Sequence, residues 1–208
     1  MQLVAESTSL IIRGNWNPAI LQPAWIARHA LEKDADRVPV SMEFSAVAGV
    51  PPRFLLEELK FAPSFDTLSI APSRTDEQSL NRLEEVAQNV LQYLPHTPIS
   101  AFGQNFEFIE ETPGDAVLTL FEIGDRLAER MTSDVDIVKT DISSSLQLEN
   151  RVLNLKRTLD RDGSFHLAMN FHYVTESASK AVELLENSAV QNYQIAQEIA
   201  DIYSNLGR

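Results

Sequence analysis

The chain has 208 residues, 44% of them hydrophobic, enough to bury a core in one large domain or two small ones. Its 17 basic and 30 acidic residues leave a formal net charge of −13, which repels nucleic-acid phosphates and anionic membrane surfaces unless basic residues cluster locally. It contains no cysteine, which excludes disulfide scaffolds, thiolate nucleophiles, zinc knuckles and iron–sulfur ligation.

Arg151, Lys156, Arg157 and Arg161 form the densest basic group, but Asp160 and Asp162 interleave with it. Neither a nucleic-acid nor a membrane partner is therefore expected. The opening MQLVAESTSLIIRG lacks a basic region and a sustained apolar run, and no apolar stretch reaches the length of a bilayer span, so a cytoplasmic protein is expected.

In chain order, Ser7 to Asn15 reads as a strand through Leu10, Ile11 and Ile12, ended by Gly14 and Asn17-Pro18. Pro23 suits the first turn of a short helix carrying Trp25, Ile26, His29 and Ala30. Three extended segments follow, Val40 to Val47, Phe54 to Phe61 and Thr67 to Ile70, separated by Pro or Gly. Between Asp76 and Leu94, Leu80, Leu83, Ala87, Val90, Leu91 and Leu94 recur at helical steps up to Pro95. Residues 97 to 110 read as a long strand with Phe102, Phe106 and Phe108 of one parity, and Gly103 marks a bulge or a close backbone approach. Asp115 to Met131 again has helical period, through Val117, Leu120, Phe121, Gly124, Leu127, Ala128 and Met131.

The last third alternates most clearly. Val138, Ile142, Leu146 and Leu148 share one face of a strand, and Leu153, Leu155 and Leu159 follow in the next. Arg161-Asp162-Gly163 supplies a hairpin turn. After it Phe165, Leu167, Met169, Phe171 and Tyr173 point one way, and His166, Ala168, Asn170 and His172 the other. From Glu176 to Leu206 a helical stripe steps through Ala178, Val182, Leu185, Ala189, Tyr193, Ala196, Ile199 and Tyr203, with a break expected at Asn187-Ser188.

These elements predict an α+β fold, a mostly antiparallel sheet of strand meanders with amphipathic helices packed on one side. A single domain over 1–208 is expected, built of two strand-then-helix halves, about 1–112 and 113–208. Such a meander followed by helices, in an acidic chain, resembles in layout the bacterial export-chaperone SecB family. The resemblance implies an extended hydrophobic groove for unfolded chains, and a tetramer.

The seven glycines stand alone, which removes phosphate-cradling loops, and neither H-E-x-x-H nor G-x-S-x-G occurs. His166 and His172, six residues apart on one strand, lie roughly 20 Å from each other and cannot share a metal ion. Asp134-Val135-Asp136 and Asp160 to Gly163 resemble fragments of calcium loops without the closing Glu. No metal and no cofactor are expected.

The candidate catalytic residues are Glu107, set between two phenylalanines, Asn105 on its face, and His172. Trp16 and Trp25 serve either as a clamp over the sheet or as anchors for a partner. Past residue 187, Ile195, Ile199, Ile202 and Leu206 form a second apolar stripe beside Tyr193 and Tyr203. One sheet face cannot cover both stripes, so self-association through residues 190 to 206 is the expected outlet and packing against the first helix the alternative. The reading is a non-enzymatic interaction protein acting as a homodimer or on a protein partner. Its alternatives are a small-molecule enzyme with a site between the halves and a SecB-like chaperone.

Overall fold

In the computed structural model, residues 1–44, 52–122, 130 and 136–206 are described. The strands are β1 (Gln2–Leu3), β2 (Ser9–Gly14), β3 (Val40–Glu43), β4 (Arg53–Leu56), β5 (Leu59–Pro63), β6 (Thr67–Pro72), β7 (Ile99–Glu110), β8 (Lys139–Gln147), β9 (Val152–Asp160) and β10 (Phe165–Val174). The helices are α1 (Pro23–His29), α2 (Glu77–Tyr93), α3 (Asp115–Leu118), α4 (Ala178–Leu185) and α5 (Ser188–Ser204). All strands join one antiparallel sheet in the order β3-β4-β5-β6-β2-β7-β10-β9-β8, with β1 also on β7. The fold is α+β, an antiparallel sheet with its helices on one side.

The connectivity recurs. In each half an opening strand (β2, β7) is followed by a crossover, a meander, and then helix; the opening strand lies beside the closing one (β6, β10). The two opening strands pair with each other at the middle, Ile11 opposite Gly103.

The core lies between the sheet and the helices. Leu10, Ile12, Leu68, Ile70, Phe61, Phe102, Phe165 and Phe171 leave the sheet on one side and are fully buried beneath α2, α4 and α5. Aromatic contacts tie the roof to the sheet: Phe106 lies 5.7 Å from Tyr193 and Phe165 5.6 Å from Tyr203, both tilted, while Phe102 stacks on Tyr173 at 4.4 Å within the sheet. Asp76 caps α2 through Ser79 N–H, and Ser177 caps α4 through Lys180 N–H. The terminal helix breaks where expected, with Asn187 left-handed at φ 57°. Among the described residues no helix is long and apolar enough to cross a membrane.

Several expectations change. Phe54 to Phe61 is a hairpin rather than one strand: Leu56 pairs with Leu59 around Glu57-Glu58, and Glu57 takes φ 54°. The inward residues are Phe54 and Leu56, then Leu59 and Phe61; the parity switches because the chain turns back and Phe54 comes to face Phe61. No bulge occurs at Gly103, whose pairing with His172 is regular; the irregularity lies at Arg13/Gly14 of β2. Helix after Asp115 passes into a 3-10 turn at Thr119–Phe121, and Gly124, Leu127, Ala128 and Met131 lie outside the described residues, as do Asp134, Val135 and the strand residues beyond Phe44. β8 is an edge strand with Leu146 exposed and Ile142 half-buried, so its apolar face is only partly covered.

Candidate functional site

The helices cover one side of the sheet; the other carries every catalytic candidate. On it, cross-strand register builds rows. Ser9 of β2, Asn105 of β7, Asn170 of β10, Asn154 of β9 and Ser145 of β8 are successive partners across five strands. Their side chains form a ladder of uniform polarity. Ser145 Oγ donates to Asn154 Oδ1 at 2.8 Å, Asn154 Nδ2 to Asn170 Oδ1 at 3.3 Å, Asn170 Nδ2 to Asn105 Oδ1 at 2.8 Å, and Asn105 Nδ2 to Ser9 Oγ at 3.1 Å. Glycine at 103 is what admits it, since a Cβ there would sit 2.6 Å from Asn170 Nδ2.

The next row runs Ser143, Lys156, Ala168, Glu107. Glu107 Oε1 meets His166 Nδ1 at 2.9 Å and Oε2 accepts from Ser7 Oγ at 2.7 Å. Burial pushes the Glu107 carboxyl up, but the Ser7 and His166 hydrogen bonds and the His166 and Lys139 charges outweigh it and hold the group below its ordinary value. His166 Nε2 faces Asp160 Oδ2 and Ser164 Oγ, each at 3.4 Å. Ser164 Oγ in turn donates to Asp162 at 2.7 Å. Lys156 Nζ pairs with Asp141 Oδ2 at 3.0 Å. Between the two rows lies a shallow recess of about 300 Å³ floored by Ala168.

Directly behind Asn105, its neighbour Gln104 enters the roofed side. Gln104 Nε2 donates to Ser188 Oγ at 2.7 Å, and Asn192 Nδ2 donates to both Gln104 Oε1 and the Tyr173 hydroxyl, the latter at 2.9 Å. Glu84 of α2 caps the start of α5 from outside, accepting from Asn187 N–H at 2.6 Å and Ala189 N–H at 2.9 Å. Desolvation raises the Glu84 carboxyl above its ordinary value, although the backbone N–H groups of Ala189 and Asn187 and the Ser188 hydroxyl oppose it. This network joins α2, α5, β7 and β10, and its members Gln104, Ser188 and Asn192 are all buried.

Glu107 and Asn105 share one face, as predicted, but His172 does not join them. It stands opposite Gly103, four residues along β10 from Ala168, the partner of Glu107, which is about 13 Å. The histidine that meets Glu107 is His166, and Asn170 is the amide that meets Asn105. Alternation had placed both on this face; the β7–β10 register that brings them to their partners comes from a crossover that no local pattern reports.

Of the tryptophans, Trp16 is core, 2% exposed, with its indole N–H on the Ile12 carbonyl at 3.1 Å. It is no surface anchor. Trp25 is half-buried, 4.9 Å from His29, which lies 4.9 Å from the exposed ring of Tyr93. On α5, Tyr193, Ile195, Ile199 and Tyr203 are half-buried against the core, while Ile202, and Leu206 just past the helix end, are exposed. Among the described residues no three His, Asp or Glu side chains converge as a metal ion would require. No protein-family model matches the chain, and no curated protein matches it in sequence.

Proposed function

We propose that the chain is a non-enzymatic interaction protein that works as a homodimer in the cytoplasm, with α5 as the contact between subunits. One observation carries this reading: in the stripe Ile195, Ile199, Ile202 and Leu206, spaced four, three and four, Ile202 and Leu206 stand exposed and Ile195 and Ile199 are only half-buried, while Ala196 and Ala200 beside them are buried in the core. That spacing is the seam of paired helices, and a seam of this kind is self-complementary about a two-fold axis. The enzyme reading has less support. Glu107, Asn105 and His166 lie on an open sheet face rather than in a closed cleft with converging groups, and a cleft is what small-molecule catalysis ordinarily uses. A SecB-like holder of unfolded chains needs an extended apolar groove, whereas the open face across β7, β10 and β9 carries Asn105, Asn154, Asn170, Glu107 and His166.

The test is the mass in solution of the wild type and of Ile202→Glu, a change at a position 62% exposed that leaves the core intact. A wild type of twice the chain mass and a variant of one chain mass are expected. A monomeric wild type removes the proposal; a tetramer revives the chaperone reading.

A further inference from the structure

We propose that the recess on the open face, between the amide ladder and the Glu107–His166 pair, binds a short neutral oligosaccharide lying across the strands. This does not rest on the dimer reading, since α5 is on the other side of the sheet. Three features of the recess specify the ligand.

The first is hydrogen-bonding capacity. Each asparagine of the ladder uses one N–H and one lone pair on its neighbours, and an amide has two of each. Asn105, Asn170 and Asn154 therefore each keep a donor and an acceptor side by side, which is the complement of hydroxyl groups. The ladder holds these amides in fixed orientation, so little rotamer entropy is left to lose on binding.

The second is spacing. Neighbouring strands are about 4.8 Å apart, whereas same-side groups of an extended peptide repeat at about 6.7 Å. A peptide crossing the strands falls out of step with the ladder after one contact. A linear glycan, whose sugar units each advance close to one strand spacing, stays in step.

The third is charge. Lys156 is paired with Asp141, and both Glu107 oxygens are hydrogen-bonded, to His166 and Ser7, so the charged groups flanking the recess already have partners. The ladder itself is neutral, and the whole chain, at −13, repels anionic polymers. The methyl group of Ala168 leaves the space in its row that a sugar ring would fill.

Saturation-transfer NMR with the full chain tests this, with cellotriose and chitotriose as probes. Transfer to the ring protons of at least one probe is expected. It should be lost in Asn170→Leu, which cuts the ladder, and in Ala168→Phe, which fills the recess and leaves every residue of the ladder in place; circular dichroism establishes that each variant is folded. Absence of transfer from both trisaccharides overturns the proposal, and so does transfer that persists undiminished in a folded variant.

Discussion

The two sides of the sheet carry two polar networks that start from adjacent residues of one strand. Gln104 leads into a network sealed under α5, and Asn105 into a ladder open to water. Both are built from amides and hydroxyls, yet their energetics differ, because a buried group that loses its partner has no water to turn to. The sealed network therefore acts as structure, tying the break between α4 and α5 to α2. The open ladder is affordable as a recognition surface, since cutting it costs the fold little.

Neighbours on β10 give the widest test of this contrast. Phe171→Ala, beneath the roof, should destabilise by about 3–5 kcal/mol, whereas His172→Ala, on the open face, should stay within about 0.5 kcal/mol; urea unfolding measures both. Equal losses would mean that the open face is covered in the folded protein. A smaller difference separates the two networks. Asn192→Ala leaves the Gln104 amide and the Tyr173 hydroxyl without their donor, at about 1–3 kcal/mol for each group left unsatisfied. Asn170→Ala removes two ladder bonds, but water replaces them, and the loss should be about 0.5 kcal/mol or less.

The finest test is pH dependence, because the two carboxylates are shifted in opposite senses. Folding raises Glu84, so its contribution to stability is complete below the unfolded value near 4.5 and is lost as pH rises through the higher folded value. Folding lowers Glu107, so its contribution is complete above 4.5 and is lost as pH falls through the lower folded value. In urea unfolding across mildly acid pH, Glu84→Gln should flatten the limb above that point and Glu107→Gln the limb below it. Exchange of the two effects would overturn both directions of shift.

The halves differ as well. The open face of the first carries Ala62, Ser69 and Ala71, with Lys60 paired to Glu43 at 3.1 Å, and has nothing like the ladder. The same connectivity thus supports a plain surface in one half and a hydrogen-bonding one in the other, a difference set by side chains rather than by fold.

Local pattern was enough to establish which way each residue of β7 and β10 faces, where α2 starts and stops, that the tail breaks at Asn187, and that helices would lie on one side of an antiparallel sheet. These follow from the two periods of the backbone and from the residues that cap or interrupt it. Local pattern misread Phe54 to Phe61, where two glutamates make a turn that ordinarily draws Gly or Asn. Only the tertiary structure decided that β7 lies between β2 and β10, and so that Asn105 meets Asn170, Glu107 meets His166, and Glu84 caps a helix more than a hundred residues away. Pairing across a crossover depends on how the whole core packs, and nothing within a few residues of either partner encodes it.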